Sequence, residues 1–262
     1  MPPHPWGTLD LPHAGWAAVR VGLRDLWLER RKDEVRLSHA AVEDVAAPQE
    51  PAPPEDASWT RWALPSGSEG QVRLSPAFPD RLLVLQPEIG LFLAKGARAR
   101  IYARVPLFVR VEVNERDPVL LEELFCATLS DTWWGTFMEG EMAYWLPTSA
   151  EPAWSPETVE PHVALCPMQL VNRGDSKLNV EKVALRAANL TLFEKDGAFW
   201  SDETEVLHYG DPDTAELRVS GRPPEEAKGA HKAASPREPV KGGLRGRTFS
   251  RLLNLSPMPP AR

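Results

Sequence analysis

Cysteine, tyrosine and long apolar runs are scarce in this chain of 262 residues. The two cysteines, Cys126 and Cys166, form no Cys-x-x-Cys pattern, which excludes a disulfide-rich scaffold and fits a reducing compartment. No apolar run approaches the roughly 18 residues of a membrane-spanning helix. The first residues, MPPHPWGTLDLPHAGW, lack the basic start and apolar stretch of a signal peptide. These absences predict a soluble, cytoplasmic protein.

Motifs for metal binding and catalysis are also missing. None of the six histidines stands three or four residues from another, and none neighbours a cysteine at ligand spacing. There is no Gly-x-Ser-x-Gly elbow, and the glycine-rich stretch 242–247 lacks the Gly-Lys-Ser/Thr ending of a phosphate-binding loop. The sequence therefore predicts no metal, no cofactor and no enzymatic activity.

Positive charge is concentrated at the end of the chain. Residues 221–262 hold nine Lys/Arg against three Asp/Glu, a net of +6, so the total of −7 leaves −13 on residues 1–220. An acidic body disfavours nucleic acid as a partner. Few apolar residues occur in 221–262, which predicts a flexible, disordered basic tail. Within it, an amphipathic basic turn is predicted to contact a protein partner or, weakly, an anionic membrane; its residues are Arg245, Arg247, Phe249, Arg251, Leu252 and Leu253.

Short alternating segments separated by turn residues dominate residues 10–220. The stretch 108–113 (FVRVEV) alternates charged with apolar side chains, as a half-buried strand does. Asparagine, aspartate and glycine at 172–175 and 195–197 predict hairpin turns, as does the polar stretch 31–33. Only 119–125 (VLLEELF) could form two turns of helix. The pattern predicts an all-β, antiparallel β-sandwich architecture.

The number of sandwiches is left open by the sequence. One large sandwich and two packed immunoglobulin-like or jelly-roll-like sandwiches both fit. The predicted portions are residues 10–115, with a Pro-rich loop at 41–57, and residues 116–220, followed by the tail at 221–262.

The stretch LSDTWWGTFMEGEMAYW, residues 129–145, is the most unusual in the chain. Trp133, Trp134 and Tyr144 could form an aromatic platform for a carbohydrate or other small ligand. Asp131, Glu139 and Glu141 could supply a catalytic carboxylate pair. The favoured interpretation is structural, with Gly135 and Gly140 as turn points, one tryptophan buried as a core anchor and its neighbour half exposed. In that interpretation Trp134 or Trp145 could be left for a ligand. The candidate binding or structural signature is Ser130, Asp131, Thr132, Trp133, Trp134, Gly135, Glu141 and Tyr144.

Three arginines, Arg98, Arg100 and Arg104, share one face of a predicted strand. They could form an anion-binding or partner-binding surface. A solvated strand face is the favoured interpretation.

Several of these motifs together resemble an uncharacterised prokaryotic family, domain of unknown function 432. They are 105–112 (VPLFVRVE), 129–135 (LSDTWWG), Gly140-Glu141, Tyr144, and Cys166-Pro167 before a strand that ends at Asn172. The resemblance covers residues 15–220 and carries over no catalytic residues. It implies an accessory role beside a small-conductance mechanosensitive membrane channel. We therefore expect a non-enzymatic protein that acts through protein–protein interaction, at the membrane periphery, with ligand binding at residues 133–145 as the alternative.

Overall fold

The computed structural model of the chain describes residues 4–11, 15–64, 71–87, 90–114, 117–156, 159–211, 214–239 and 244–247. Nearly all the regular structure in these ranges is β-strand, which confirms the all-β prediction. Single 3-10 turns occupy Ala187–Asn189 and Glu225–Ala227. No helix in the described ranges is long and apolar enough to cross a membrane.

The strands, in chain order, are β1 (Gly7–Leu9), β2 (Ala17–Val21), β3 (Arg24–Arg31), β4 (Glu34–Ala41), β5 (Thr60–Ala63), β6 (Val72–Ala77), β7 (Leu82–Pro87), β8 (Leu91–Leu93), β9 (Arg98–Pro106), β10 (Phe108–Val113), β11 (Val119–Phe125), β12 (Ser130–Gly135), β13 (Gly140–Glu151), β14 (Val163–Asn172), β15 (Leu178–Val180), β16 (Val183–Leu185), β17 (Leu192–Lys195), β18 (Ala198–Ser201), β19 (Thr204–His208), β20 (Thr214–Val219), β21 (His231–Ala234) and β22 (Leu244–Arg247).

These strands form three larger sheets and one pair. Sheet A has the order β1-β6-β10-β11, and sheet B has the order β2-β3-β4-β5. Sheet C has twelve strands: its main path is β16-β7-β13-β9-β14-β18-β17-β21, β12 lies beside β13, and β19, β20 and β22 continue from β14. Strands β8 and β15 pair separately. Most pairs are antiparallel, but β7–β13, β14–β18 and β14–β19 are parallel.

The main hydrophobic core lies between the sheets and draws on all of them. Leu28 comes from sheet B, Leu74 and Val111 from sheet A, and Leu85 and Leu170 from sheet C, and all five are buried in one cluster. Burial of such side chains is the main favourable contribution to folding, at roughly 1.5 to 3 kcal/mol for each. Strand β10 follows its predicted alternation: its valines are buried, while Arg110 and Glu112 lie on the outer face.

The predicted division at 115/116 does not separate two sandwiches. Strand β10 pairs with β11 across it, and β7 and β9 share sheet C with β13 and β14. Because a strand is stabilised by hydrogen bonds to its neighbours, the two portions depend on each other.

The helix considered for residues 119–125 is wrong. This segment is strand β11, antiparallel to β10, with Phe125 opposite Phe108 and Glu123 opposite Arg110. The two phenyl rings are 4.2 Å apart between centroids. Long-range pairing and aromatic packing override the weak local helix preference here.

The predicted turns have mixed outcomes. Residues 31–33 connect the paired strands β3 and β4, and 195–197 connect β17 and β18, where Asp196 and Gly197 adopt positive φ angles of 54° and 79°. The hairpin predicted at 172–175 is wrong, because β14 and β15 do not pair with each other. Instead the Asn172 side-chain amide donates to the carbonyls of Leu93, Ala94 and Ser176 and ties the chain to the β8–β15 pair.

The Pro-rich loop lies against sheet B without forming a strand between β4 and β5. The indole of Trp27 donates to the Glu50 carbonyl at 3.2 Å, and that of Trp16 donates to the Pro51 carbonyl at 2.8 Å. Backbone carbonyls of the loop are therefore satisfied by side chains of the sheet.

The predicted disordered tail requires a correction for residues 221–239. Ala227 is buried, and β21 pairs with β17. The indicator missed in the sequence is charge complementarity: Glu226 accepts hydrogen bonds from Arg100 and Tyr102 on β9. The segment has too little apolar surface to fold alone, but it docks on a surface that is already formed.

Candidate functional site

The unusual stretch forms a hairpin, which we call the Trp hairpin (residues 130–145). Strands β12 and β13 pair in register from Ser130 opposite Trp145 to Gly135 opposite Gly140. On its other side β13 pairs with β7 only from Ala143 onward. The outer part of the hairpin, residues 133–142, therefore extends beyond the supporting strand.

The turn of the hairpin is held by several hydrogen bonds. The Thr136 amide donates to the Glu139 carbonyl at 2.7 Å, and the Thr136 hydroxyl accepts from the Glu139 amide at 3.0 Å. The Trp133 indole donates to the Thr136 carbonyl at 2.7 Å. Gly135 has a φ of 148°, which side chains disfavour, and a Cβ at Gly140 would collide with the Trp133 ring. Both glycines thus serve as the predicted turn points.

Four apolar side chains at the outer end of the hairpin are exposed. Phe137 is 96% and Met138 is 83% exposed, at the tip itself. Trp133 and Met142, opposite each other across the strands, are 50% and 47% exposed. We call these four residues the apolar tip. Contiguous exposed apolar surface on a soluble protein is typical of an interaction site.

The predicted aromatic platform is not formed. Trp134 and Tyr144 are only 4% and 5% exposed, so of the three rings only Trp133 is accessible. Successive side chains of a strand point to opposite faces, which separates Trp133 from Trp134. Trp134 packs on Leu82, Val84 and neighbouring residues, so one tryptophan is buried beside a half-exposed neighbour, as the structural interpretation predicts, but Trp134 is not left for a ligand.

A polar cluster lies at the base of the hairpin. The Tyr144 hydroxyl donates to Asp80 at 2.9 Å, and Arg81 lies 3.1 Å from Asp131. Arg186 donates to both oxygens of Glu141, at 3.1 and 2.6 Å. Burial raises the pKa of Tyr144 to about 12, and the hydrogen bond to Asp80 acts in the same direction. The phenol is therefore protonated at neutral pH.

The cluster does not bring the predicted carboxylates together as an acid/base pair. Asp131 and Glu141 lie on opposite faces of the hairpin, and each is held by a different arginine. Glu139 lies in the turn between them. A cavity of about 140 Å³ beside Asp80, Glu141 and Arg186 is too small for a sugar ring with its hydration. Ser130 and Thr132 are ordinary strand residues of β12.

Both cysteines are buried, free and apart from any ligand set. Burial raises the pKa of each thiol, Cys126 and Cys166, to about 12, so both stay protonated. Cys166 lies beside Ser201 and Asp202, not beside the histidines. In the ranges that the structure describes, no three His, Cys, Asp or Glu side chains are grouped as a metal site would require.

The predicted arginine surface on β9 is largely occupied by the protein itself. Arg100 pairs with Glu203 at 2.6 Å and with Glu226 at 3.0 Å, and Arg104 pairs with Glu160 at 3.0 Å. These acidic residues come from other segments, so their proximity could not be read from the strand alone.

The predicted partner-binding turn is only partly within the described residues. Arg245 and Arg247 belong to β22, which pairs with β20, so this part is a strand and not a helical turn. Phe249, Arg251, Leu252 and Leu253 lie outside the described residues.

Comparison with models of known protein families identifies the family of this chain. The family model described as "Protein of unknown function (DUF432)" matches residues 5–254. The chain belongs to this family. Neither the curated proteins nor the solved structures include a match. The DUF432 match extends beyond residues 15–220, the range of the resemblance found in the sequence. It includes both the Trp hairpin and the segment 221–239, which docks on the body and is called the docked segment below.

Proposed function

We propose that this DUF432 protein is a non-enzymatic interaction module that binds a partner protein through the apolar tip. The observation that carries the proposal is the exposure of Phe137 and Met138 on a turn fixed by hydrogen bonds. A fixed turn loses little conformational entropy on binding, and aromatic and methionine side chains are enriched where binding energy is concentrated.

Charge favours a protein partner over an anionic lipid surface. The carboxylate of Glu139 has no ion pair among the described residues, whereas Asp131 and Glu141 are neutralised by arginines. The tip thus combines apolar surface with one uncompensated negative charge. An anionic lipid surface would repel this negative charge, and it would also repel residues 1–220, whose net charge is −13. The complementary surface is an apolar pocket with a basic rim.

We further propose that the protein is cytoplasmic and peripheral to the membrane of a prokaryotic cell. Its partner is then the cytoplasmic part of a small-conductance mechanosensitive channel, the class that the family resemblance implies. The support for this partner is the resemblance alone, so the test must distinguish the channel from the lipid around it.

The test measures binding of the purified full-length protein to the channel in nanodiscs and to empty nanodiscs. Replacing Phe137 and Met138 by serine should weaken channel binding at least tenfold, about 1.4 kcal/mol, because both side chains enter the partner's pocket. Phe92→Ser is the matched control, since Phe92 is also an exposed aromatic residue but lies on β8. It should bind as wild type does.

Equal binding by the tip variant and wild type would refute the role of the tip. Equal binding to empty and channel-containing nanodiscs would indicate that the protein binds lipid and not the channel. The tail is tested separately by removing residues 248–262 only, because a cut at 221 would also remove the contacts of Glu226 and Arg237 with the body.

A further inference from the structure

A cavity lies between sheet A and the end of the segment 221–239, formed by residues distant from the Trp hairpin in sequence. We call residues 231–238 the strap. Its first part, β21, pairs with β17 of sheet C, and Arg237 then reaches sheet A. The strap thereby bridges two sheets and encloses a cavity of about 520 Å³, within the usual range for small-molecule sites.

The strap is anchored firmly at its far end. Arg237 donates to the Phe78 carbonyl at 2.6 Å and makes a two-bond ion pair with Glu123. Its guanidinium also lies 5.4 Å from the centroid of the Phe108 ring. The guanidinium of Arg237 is thus engaged by these partners. Its contribution to the cavity is therefore mainly its positive charge and not hydrogen bonds to a ligand.

Two other arginines line the cavity with unused donors. Arg73, on β6, is exposed and makes no ion pair or hydrogen bond with another described residue. The Nε of Arg110, on β10, is buried without a hydrogen bond and lies 3.6 Å from the Glu123 carboxylate. The Arg110 side chain as a whole is 35% exposed, so the outer part of its guanidinium, and not the buried Nε, is the group that can meet an oxyanion in the cavity.

The acidic residues that face these arginines are already occupied. Glu112 accepts a hydrogen bond from the Ser75 hydroxyl and lies 3.9 Å from Arg110, and Glu123 is held by Arg237. Three arginines against two glutamates leave a net charge of +1 in a protein whose net charge is −7. Because the net charge of the site is positive and Coulomb energy scales with the charge of the ligand, an anion with two negative charges gains more from this site than a singly charged one.

The remaining wall of the cavity combines the hydroxyls of Ser75 and Ser235 with apolar side chains. Pro76, Leu190, Ala234 and Pro236 contribute to it, and the volume exceeds that needed for an inorganic anion. From this geometry we infer that the cavity binds a small phosphate monoester, with its dianionic phosphate between Arg73 and Arg110 and an apolar or aromatic body beneath the strap. This site is independent of the apolar tip and of the function proposed for it.

The test is isothermal titration of the full-length protein with phenyl phosphate, benzoate and inorganic phosphate. Phenyl phosphate should bind saturably and at least tenfold more tightly than either of the others. Arg73→Gln and Arg110→Gln should each weaken it about tenfold or more. Arg61→Gln is the matched control, because Arg61 lies on sheet B and pairs with Glu34; it should bind as wild type does.

Glu112→Gln tests the same site in the opposite direction. Removing this competing carboxylate should tighten phenyl phosphate binding several-fold, a gain that misfolding cannot imitate. Absence of saturable binding to wild type, or equal weakening by Arg73→Gln and Arg61→Gln, would overturn the assignment. Equal affinity for benzoate would overturn the preference for a dianion.

Discussion

The Trp hairpin and the segment 221–239 differ in composition in one direction and in their attachment to the body of the protein in the other. The hairpin is rich in aromatic and methionine residues, yet its tip is exposed. The segment 221–239 is rich in charged residues and proline, yet it crosses the body, pairs with β17 and is anchored through Arg237. Composition alone would predict the reverse, with the apolar tip packed on the body and the polar segment free. Attachment follows from the contacts that the body offers: Arg237 meets Glu123 and the Phe78 carbonyl, whereas the apolar tip extends beyond its supporting strand.

The largest expected effect separates the buried face of the hairpin from its tip. Trp134→Ala should lower the free energy of unfolding by about 3 to 5 kcal/mol, because it removes a large buried side chain from the cluster with Leu82 and Val84. Phe137→Ala should change it by less than about 0.5 kcal/mol, since that side chain touches mainly solvent. Urea unfolding of both variants measures the difference. Similar losses would mean that the tip is packed in solution.

A pH dependence is expected where the docked segment leaves the body. Asp202 accepts a hydrogen bond from the Thr191 amide at 3.2 Å through one carboxylate oxygen, while the other is buried without a partner, and burial raises its pKa to about 6. The pKa in an unfolded chain is about 4, so the folded state binds this proton more tightly. The contribution to stability is therefore greatest below about pH 4 and is lost as the pH rises through about 6, by about 2 to 3 kcal/mol in all.

Asp202→Asn provides the corresponding measurement. The variant should be more stable than wild type at pH 8 and should lack this part of the decline between pH 4 and pH 7. Thermal unfolding across that range gives both quantities. A wild-type curve that rises between pH 4 and pH 7, with the variant parallel to it, would contradict the role of Asp202.

The smallest of these effects tests how firmly the strap is held. Arg237→Ala should destabilise the protein by about 2 kcal/mol, because the partly buried Glu123 loses its ion pair and the Phe78 carbonyl loses its donor. Hydrogen exchange should increase in residues 231–238 before it increases in sheet C. Arg218→Ala, which breaks an exposed pair with Glu216, should leave exchange in the strap unchanged. Unchanged exchange in Arg237→Ala would mean that β21 alone holds the strap.

Much of the fold could be predicted because its indicators are local. The alternation in 108–113 and the turn residues at 195–197 depend only on neighbouring positions, and both predictions are confirmed. The segment 119–125 was ambiguous for the same reason: its seven residues carry no clear period, and only pairing with β10 makes them a strand. Asn172 also has the residue type of a turn, but its side chain binds carbonyls almost eighty residues away, at Leu93 and Ala94.

The candidate site was only partly predictable. Residue type and spacing identify Gly135 and Gly140 as turn points and predict that a tryptophan anchors the core, but they do not indicate that Trp134 is the buried one and Trp133 the exposed one. Phe137 and Met138 were missed, since apolar residues in a sequence are expected to be buried and nothing local indicates that β7 supports only the base of the hairpin. Arg110 is predicted from the sequence only as a charged residue of the half-buried strand 108–113, and Arg73 is not singled out, because the strap beside them comes from more than 120 positions later in the chain.

The sequence by itself determined the all-β class, the position of the hairpin turn and the lack of a recognisable catalytic motif, because these depend on periodicity and on residue types at short spacing. Only the tertiary structure decided that strands from residues 10–115 and from residues 116–220 share sheet C. It also placed Trp133 and Trp134 on opposite faces of the hairpin and a polar segment beside an arginine-lined cavity. The physical reason is the same in each case. Hydrogen bonds between distant strands and ion pairs such as Arg237 with Glu123 connect residues whose separation along the chain carries no information about their distance in space.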